Sequence, residues 1–442
     1  MIKIVSRAAL CGLFVVARAA SAQEASPASD LSQDFAIHGQ ATFVAQGVGG
    51  FASPYIGDNS LTPHQLKETA DVTAFIGARA WAGGELWVNP EIDQGFGLSN
   101  TLGVAGFPSA EAYKVGKSEP YFRLQRAFFR QTFGLGGARE AVAPLANQLG
   151  GSRPVDRIVL TIGKFGVGDV FDTNPYAHDP RGDFLNWSVV DTGSFDYAAD
   201  AWGYTTGVAG EVYRGDWIVR AGLFNLSTIP NGERLEHGFG QYQVDAEVEH
   251  RHQVAGRPGS VRFGVFRNRG NFSRFDDALA YAAATGGAVD PSVTRRRMTR
   301  IGGYMNMDQA VTDTLGLFAR VGVSDGSIEP YDFTDIDRTA QLGGSLSGKG
   351  WGRAQDRVGL ALVANGISAA HRRYLAAGGL GVLVGDGTLP HAGAEEIVEA
   401  YYDVSLFRAL AVTLDAQYVE NPGYNRDRGP AEIFALRVHG AF

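Results

Sequence analysis

The sequence predicts an all-β protein, a transmembrane antiparallel β-barrel of about sixteen strands that follows a cleaved signal peptide. Three observations predict it. Polar and apolar residues alternate with period two in segment after segment from Phe35 onward. The N-terminus carries the charged, apolar and small-residue regions of an export signal. The last segment ends on Phe442, in line with Phe434, Leu436, Val438 and Gly440 on one face.

The export signal comes first in the chain. Lys3 and Arg7 precede an apolar core, Ala8 to Ala17, and Ala20-Ser21-Ala22 fits a cleavage site before Gln23. That core is shorter than the roughly 20 residues of a membrane span. Residues 1–22 are therefore read as signal peptide. Cleavage removes Cys11, the single cysteine, so disulfides are not expected in the mature protein. Loss of Lys3, Arg7 and Arg18 takes the formal charge from -8 to -11. Such a balance argues against nucleic acid as a partner, which would call for a basic stripe. Residues 23–34 are rich in Ser, Ala, Pro and Asp and are expected to be flexible.

Residues 35–442 are assigned to the barrel. Past the signal no 18-residue apolar run occurs, so a membrane would have to be crossed by a closed barrel. In Gln241–Arg251 one face reads Gln241, Gln243, Asp245, Glu247, Glu249, Arg251 and the other Tyr242, Val244, Ala246, Val248. The pattern recurs at Phe35–Gln46, Asp71–Glu91, Tyr121–Phe133, Tyr204–Tyr213 and Asp216–Asn225, and more weakly at Val155–Phe165. It continues at Val261–Asn268, Thr299–Asp308, Thr314–Ser324, Thr339–Leu346, Arg357–Gly366, Glu395–Leu406, Leu410–Glu420 and Ala431–Phe442. Asp71–Glu91 is either one tall strand or two joined at Ala82-Gly83-Gly84. A soluble sandwich would also alternate. Segment length, aromatics at segment ends, and short polar turns alternating with long loops favour the membrane barrel. An even strand number then points to about sixteen.

A barrel of that size keeps an aqueous lumen, so function lies in the lining. Alternation places Arg79, Glu85, Glu91, Arg123, Gln125, Asp245, Glu247, Glu249, Arg262, Arg320, Glu399, Asp403 and Arg437 inward. Both signs are present, where a strongly ion-selective pore would want rings of one sign. Mixed charge suits a neutral solute with many hydroxyls. Trp81, Trp87 and Tyr401, at positions of the same parity, are candidates to stack on a sugar ring. Each of these residues also has a plainer role, hydrating the lumen wall.

Glu85-Leu86-Trp87-Val88-Asn89-Pro90-Glu91, continuing through Ile92 to Asn100, resembles the carbohydrate-selective porins of the OprB type. So do Gly163-Lys164-Phe165, Asp172-Thr173-Asn174, Tyr176 to Arg181, Asn186-Trp187-Ser188, Phe195 to Asp200, and the Tyr204–Phe224 hairpin. Asn271 to Arg300 shows no match. A terminal aromatic such as Phe442 is similar to the assembly signal of bacterial outer-membrane proteins. The resemblance implies a bacterial outer-membrane porin that passes glucose-like monosaccharides and small oligosaccharides passively into the periplasm. It implies outer-membrane lipids and the barrel-assembly machinery as partners, and a homo-oligomer is compatible with it. A general or anion-selective porin is the alternative.

Other motifs carry less. Gly343 to Lys349 matches most of a phosphate-binding loop, but Gly350 stands where Ser or Thr is required. His250 and His252 share a face without carboxylates at ligand spacing, so neither a metal nor another cofactor is expected. No Ser/His pair nominates an enzyme, and no catalytic residue is assigned. Arg295-Arg296-Arg297 is read as a solvated rim rather than a lipid-phosphate contact.

Overall fold

The computed structural model describes residues 32–113 and 115–442. The expected signal peptide lies outside them, as does most of the expected flexible segment. Gln33, at the end of that segment, bonds Gly150 through both backbone and side chain.

The first quarter of the barrel is β1 (Phe35–Val48), β2 (Gln65–Trp81), β3 (Gly84–Gly95) and β4 (Lys117–Gly134). A small hairpin, β5 (Arg139–Val142) and β6 (Gly151–Pro154), precedes β7 (Arg157–Phe165), β8 (Thr205–Arg214) and β9 (Trp217–Asn225). Next come β10 (Tyr242–Val254), β11 (Arg257–Phe272), β12 (Arg296–Ala310), β13 (Leu315–Ser324) and β14 (Arg338–Gly348). The chain ends with β15 (Arg353–Gly366), β16 (Glu395–Phe407), β17 (Leu410–Glu420) and β18 (Ala431–Ala441). All but β5 and β6 form one closed barrel in which every neighbour is next in line, giving sixteen strands. β18 closes on β1 with Ile433 opposite Val48 and Gly440 opposite Ala41. Asp71–Glu91 resolves into two strands. Gly83, at φ +77°, makes their two-residue turn and sits where a Cβ would strike the Thr132 carbonyl.

The wall follows from alternation. On β10, Gln243, Asp245, Glu247 and Glu249 are buried, while Val244 and Val248 are exposed toward lipid. Exposed Phe35, Trp81, Phe133, Trp217, Phe407 and Phe442 ring the end that carries the short turns, as an interfacial girdle does. The opposite end carries the long connections, of which residues 166–204 and 367–394 are the longest. Short turns mark the periplasmic end and long loops the extracellular end.

The buried apolar core lies inside the barrel, where the long loops fold inward. Phe184 packs edge-on against Phe318 and Tyr401 of the wall, and Phe195 lies tilted against Phe266 and Tyr304. A four-residue helix, α1 (Trp187–Val190), sits within this plug and is capped by Asn186. Two further helices, α2 (Phe275–Thr285) and α3 (Ala369–Ala376), lie in extracellular loops.

Candidate pore and constriction

Two of the cavities that the inward-folded loops leave share part of their lining. The inner one, of about 1010 Å³, opens at the periplasmic end between Arg79, Glu85, Arg130, Arg157, Glu211 and Tyr213. The outer one, of about 340 Å³, is lined by Tyr113, Arg126, Arg181, Trp187, Asp191, Tyr197, Trp202 and Tyr204. Both are bounded by Ala146, Asn147, Asp169 and His178. Those four residues mark the narrowing between them.

Two segments from opposite ends build the narrowing. Asn147 comes from the periplasmic side, in the β5–β6 connection. Its side-chain oxygen accepts from Asn89 at 2.9 Å and its carbonyl from Arg130 at 2.8 Å. Leu149, two residues on, is buried in one cluster with Trp87 and Phe128. Asp169 and His178 come from the extracellular side, in residues 166–204. Arg126 grips Asp169 through two bonds of 2.7 and 2.6 Å, and its guanidinium lies 4.8 Å from the centre of the Tyr204 ring. Burial pushes the Asp169 carboxyl up, but Arg126 and the Gly166 N–H outweigh it and hold it below the usual range. His178 Nε2 lies 3.1 Å from the Gly168 carbonyl. A carbonyl can only accept, so that nitrogen carries the proton. Asp191 Oδ1 is 3.7 Å from His178 Nδ1. Burial raises the Asp191 carboxyl to about 6, with His178 opposing and Asp172 reinforcing the shift.

Ion pairs line the outer cavity. Arg181 reaches Glu111 at 3.3 Å, Asp71 at 3.5 Å and Glu91 at 3.8 Å. Arg123 stacks over Trp202 at 3.5 Å and donates to Asp200. The outer cavity therefore has charged donors, acceptors and aromatic side chains in its lining.

Of the residues predicted to line the pore, Arg79 and Glu85 border the inner cavity, while Arg123 and Glu91 stand behind the outer one. Asp245, Glu247, Glu249, Arg262, Arg320, Glu399, Asp403 and Arg437 do face inward but are covered by loops or by one another. Glu247 accepts from the Asp172 N–H and Glu399 from the Leu185 N–H. Arg320 donates to the Val189 and Ala177 carbonyls, and Arg437 to Pro180 and Asp183. Glu249 and Arg262 belong to a wall network with Arg220 and Asp308. Gln125 is buried against Glu91.

The expected stacking aromatics need correction. Trp81 is 58% exposed on the outer face, against Phe129 and bonded to Gln131. A bulge after Arg79 flips the alternation there. Trp87 and Tyr401 face inward but are covered, Trp87 lying over Gly77 and Tyr401 meeting Phe184 edge-on. Trp187, Tyr197, Trp202 and Tyr204 take the cavity positions instead. Arg126 and Arg130 escaped the sequence reading for a similar reason. A register shift at Asn89/Pro90 brings both Gln125 and Arg126 inward, and the parity changes beyond it. Trp187 and Tyr197 lie in stretches that carried the family resemblance.

A closed sixteen-stranded barrel with an apolar outer band and a lumen narrowed by inward loops is an outer-membrane porin. The profile of the carbohydrate-selective porin OprB family matches residues 58–442, and the chain belongs to that family. Its fold is similar to a high-pH structure of Pseudomonas putida OprB, at 18% identity, covering 93% of this chain and 95% of that one, with TM-score 0.69. It is also similar to the outer membrane channel DcaP of Acinetobacter baumannii, at 12% identity, 95% and 100% coverage, and TM-score 0.50. No curated protein matches the chain.

Proposed function

We propose that glucose-like monosaccharides and small oligosaccharides cross this barrel passively, through the outer cavity, past Asn147, Asp169 and His178, and into the inner cavity. The observation that carries the reading is the outer lining. Trp187, Tyr197, Trp202 and Tyr204 line it beside charges that are already paired, Arg126 with Asp169 and Arg181 with Glu111. Paired charges give little net field to steer ions, yet each keeps donors or acceptors for hydroxyls. A channel rather than an enzyme is the reading that family and barrel support. Phe442, 83% exposed at the periplasmic girdle, stands where assembly machinery would meet it. Subunit association is compatible with the same reading.

Liposome swelling with a graded series of sugars tests this. Sugars should enter faster than uncharged polyols of equal size, and millimolar glucose or maltose should reduce ion current in planar bilayers. Swelling that follows size alone, with no block, would refute sugar preference. One observation favours an anion-selective channel instead. The inner cavity is bounded by Arg79, Arg130, Arg139, Arg153, Arg157 and Arg220, against Glu85, Asp169 and Glu211. A strongly anion-selective reversal potential without sugar block would establish that alternative.

A further inference from the structure

The extracellular rim of β11 and β12 carries arginines on the side that faces lipid. On β11 the outward positions are Phe263, Val265, Arg267, Arg269 and Asn271, in order toward the extracellular end. Phe263 and Val265 are exposed to the bilayer at 58% and 60%. On β12 the outward positions are Arg297, Thr299 and Ile301, whereas Arg300 between them points inward and is fully buried. The register sets Arg269 opposite Thr299 and Asn271 opposite Arg297. Arg267 and Arg269 are thus about 7 Å apart along one strand, and Arg297 is the diagonal neighbour of Arg269 at about 7–8 Å.

Three neighbouring rim arginines are neutralised. Arg295 pairs with Glu329 at 2.8 Å, Arg296 with Asp277 at 2.7 Å and Arg373 with Asp276 at 2.7 Å. The Asp325 carboxylate is taken up by the Ser327 N–H and hydroxyl. Among the described residues Arg267, Arg269 and Arg297 form no ion pair. Arg267 only touches the Tyr242 hydroxyl at 3.4 Å, and Arg269 the Thr299 hydroxyl at 3.3 Å. So the run Arg295-Arg296-Arg297 splits: two members tie down the loop, and the third joins an outward triad.

Three cations without carboxylates, directly above an apolar lipid-facing band, need an anion at the depth of the headgroups. Guanidinium groups bind phosphate oxygens bidentately, and three of them at this spacing can share one or two phosphates. We propose that Arg267, Arg269 and Arg297 form a binding site for the phosphorylated headgroup of an outer-leaflet glycolipid, with Val265 and Ile301 against its acyl chains. Tyr242, beside Arg267, sits where an interfacial aromatic would flank the sugar headgroup.

The test uses the folded full barrel in detergent and a purified diphosphorylated, acylated glucosamine disaccharide as probe, with retention read by native mass spectrometry. The wild type should hold the probe saturably, and R267Q/R269Q/R297Q should lose at least tenfold in retention. Sugar entry in liposome swelling and the compact gel migration of the unheated barrel should not change. Arg269→Gln alone should lose several-fold, which keeps the test open if the triple variant folds poorly. Equal retention by the folded variants would overturn the site. Equal retention of the dephosphorylated probe would overturn the phosphate contact. Displacement by millimolar inorganic phosphate, or equal retention of phosphatidylglycerol, would overturn the glycolipid assignment.

Discussion

Arg320→Met removes a guanidinium from β13 and keeps a long apolar stem. Arg320 is fully buried, with Nη1 2.7 Å from the Val189 carbonyl, Nη2 2.7 Å from Ala177 and Nε 3.3 Å from Asp172 Oδ1. Breaking one side of a buried ion pair costs about 3–5 kcal/mol. Asp172 keeps bonds from the Thr192 N–H at 2.6 Å and the Asn306 amide at 2.7 Å. The low end, about 3 kcal/mol, is therefore expected, which is roughly 100-fold in the docked-to-released ratio of residues 166–204. None of the bonds lost belongs to the strand ladders, so the barrel should persist and only the plug should loosen.

Trypsin reads that ratio at Arg181, inside the segment. Cleavage of the folded barrel should rise by up to roughly 100-fold where opening is fast relative to cutting. Single-channel conductance should rise with it, because Asp169 and His178 would leave the narrowing. The control is compact migration of the unheated protein. A variant that migrates compactly yet shows wild-type cleavage and conductance would refute the anchoring argument.

Four further outcomes follow from the geometry. As pH falls through about 6, Asp191 takes up a proton, so the channel should become less cation-preferring, and Asp191→Asn should shrink that step by one charge; superimposable reversal-potential profiles would exclude the assignment. The same group sets a stability trend. Its folded carboxyl holds the proton more tightly than the ordinary value of 3.8, so unfolding free energy should fall as pH rises from about 4 to about 6, with the penalty full above that. Replacing residues 143–150 by a short Gly-Ser turn withdraws Asn147 and should raise conductance and the size limit for sugars, with unchanged values showing that the insert does not bound the path. Gly39→Val puts a side chain where the Phe442 ring lies, beside the paired backbone bonds of Gly39 and Phe442; slower folding into vesicles is expected, and wild-type kinetics would show the seam tolerates it.

The strands were legible because lipid and water enforce opposite choices on alternate residues. Every alternating segment from Phe35–Gln46 to Ala431–Phe442 became a barrel strand. Parity failed only where a bulge broke it, at Arg79–Trp81 and at Gln125–Arg126. Nothing in period-two patterning announces an extra residue of that kind. The destination of the loops was illegible for another reason. Residues 166–204 return to the lumen because wall groups in distant strands receive their backbone, and single-sequence spacing does not encode such partners. The β5–β6 insert, short-stranded and mixed in composition, reads as an ordinary periplasmic connection until Leu149 is seen packed near Trp87.

That arrangement revises what the mixed lumen charge means. A buried loop carries backbone groups with no ladder to join, and leaving them unpaired is costly. The wall answers by sign. Arginines take carbonyls, as Arg320 and Arg437 do. Glutamates take N–H groups: Glu247 that of Asp172, Glu399 those of Leu185 and Asn186, and Glu395 those of Ala105, Gly106 and Gly423. Both signs are required for that task whatever the solute. The wall charges of β10 to β18 therefore say little about sugar, although alternation alone had enlisted them for it. The proposed sugar preference therefore rests on Arg126, Asp169 and His178, which border open space.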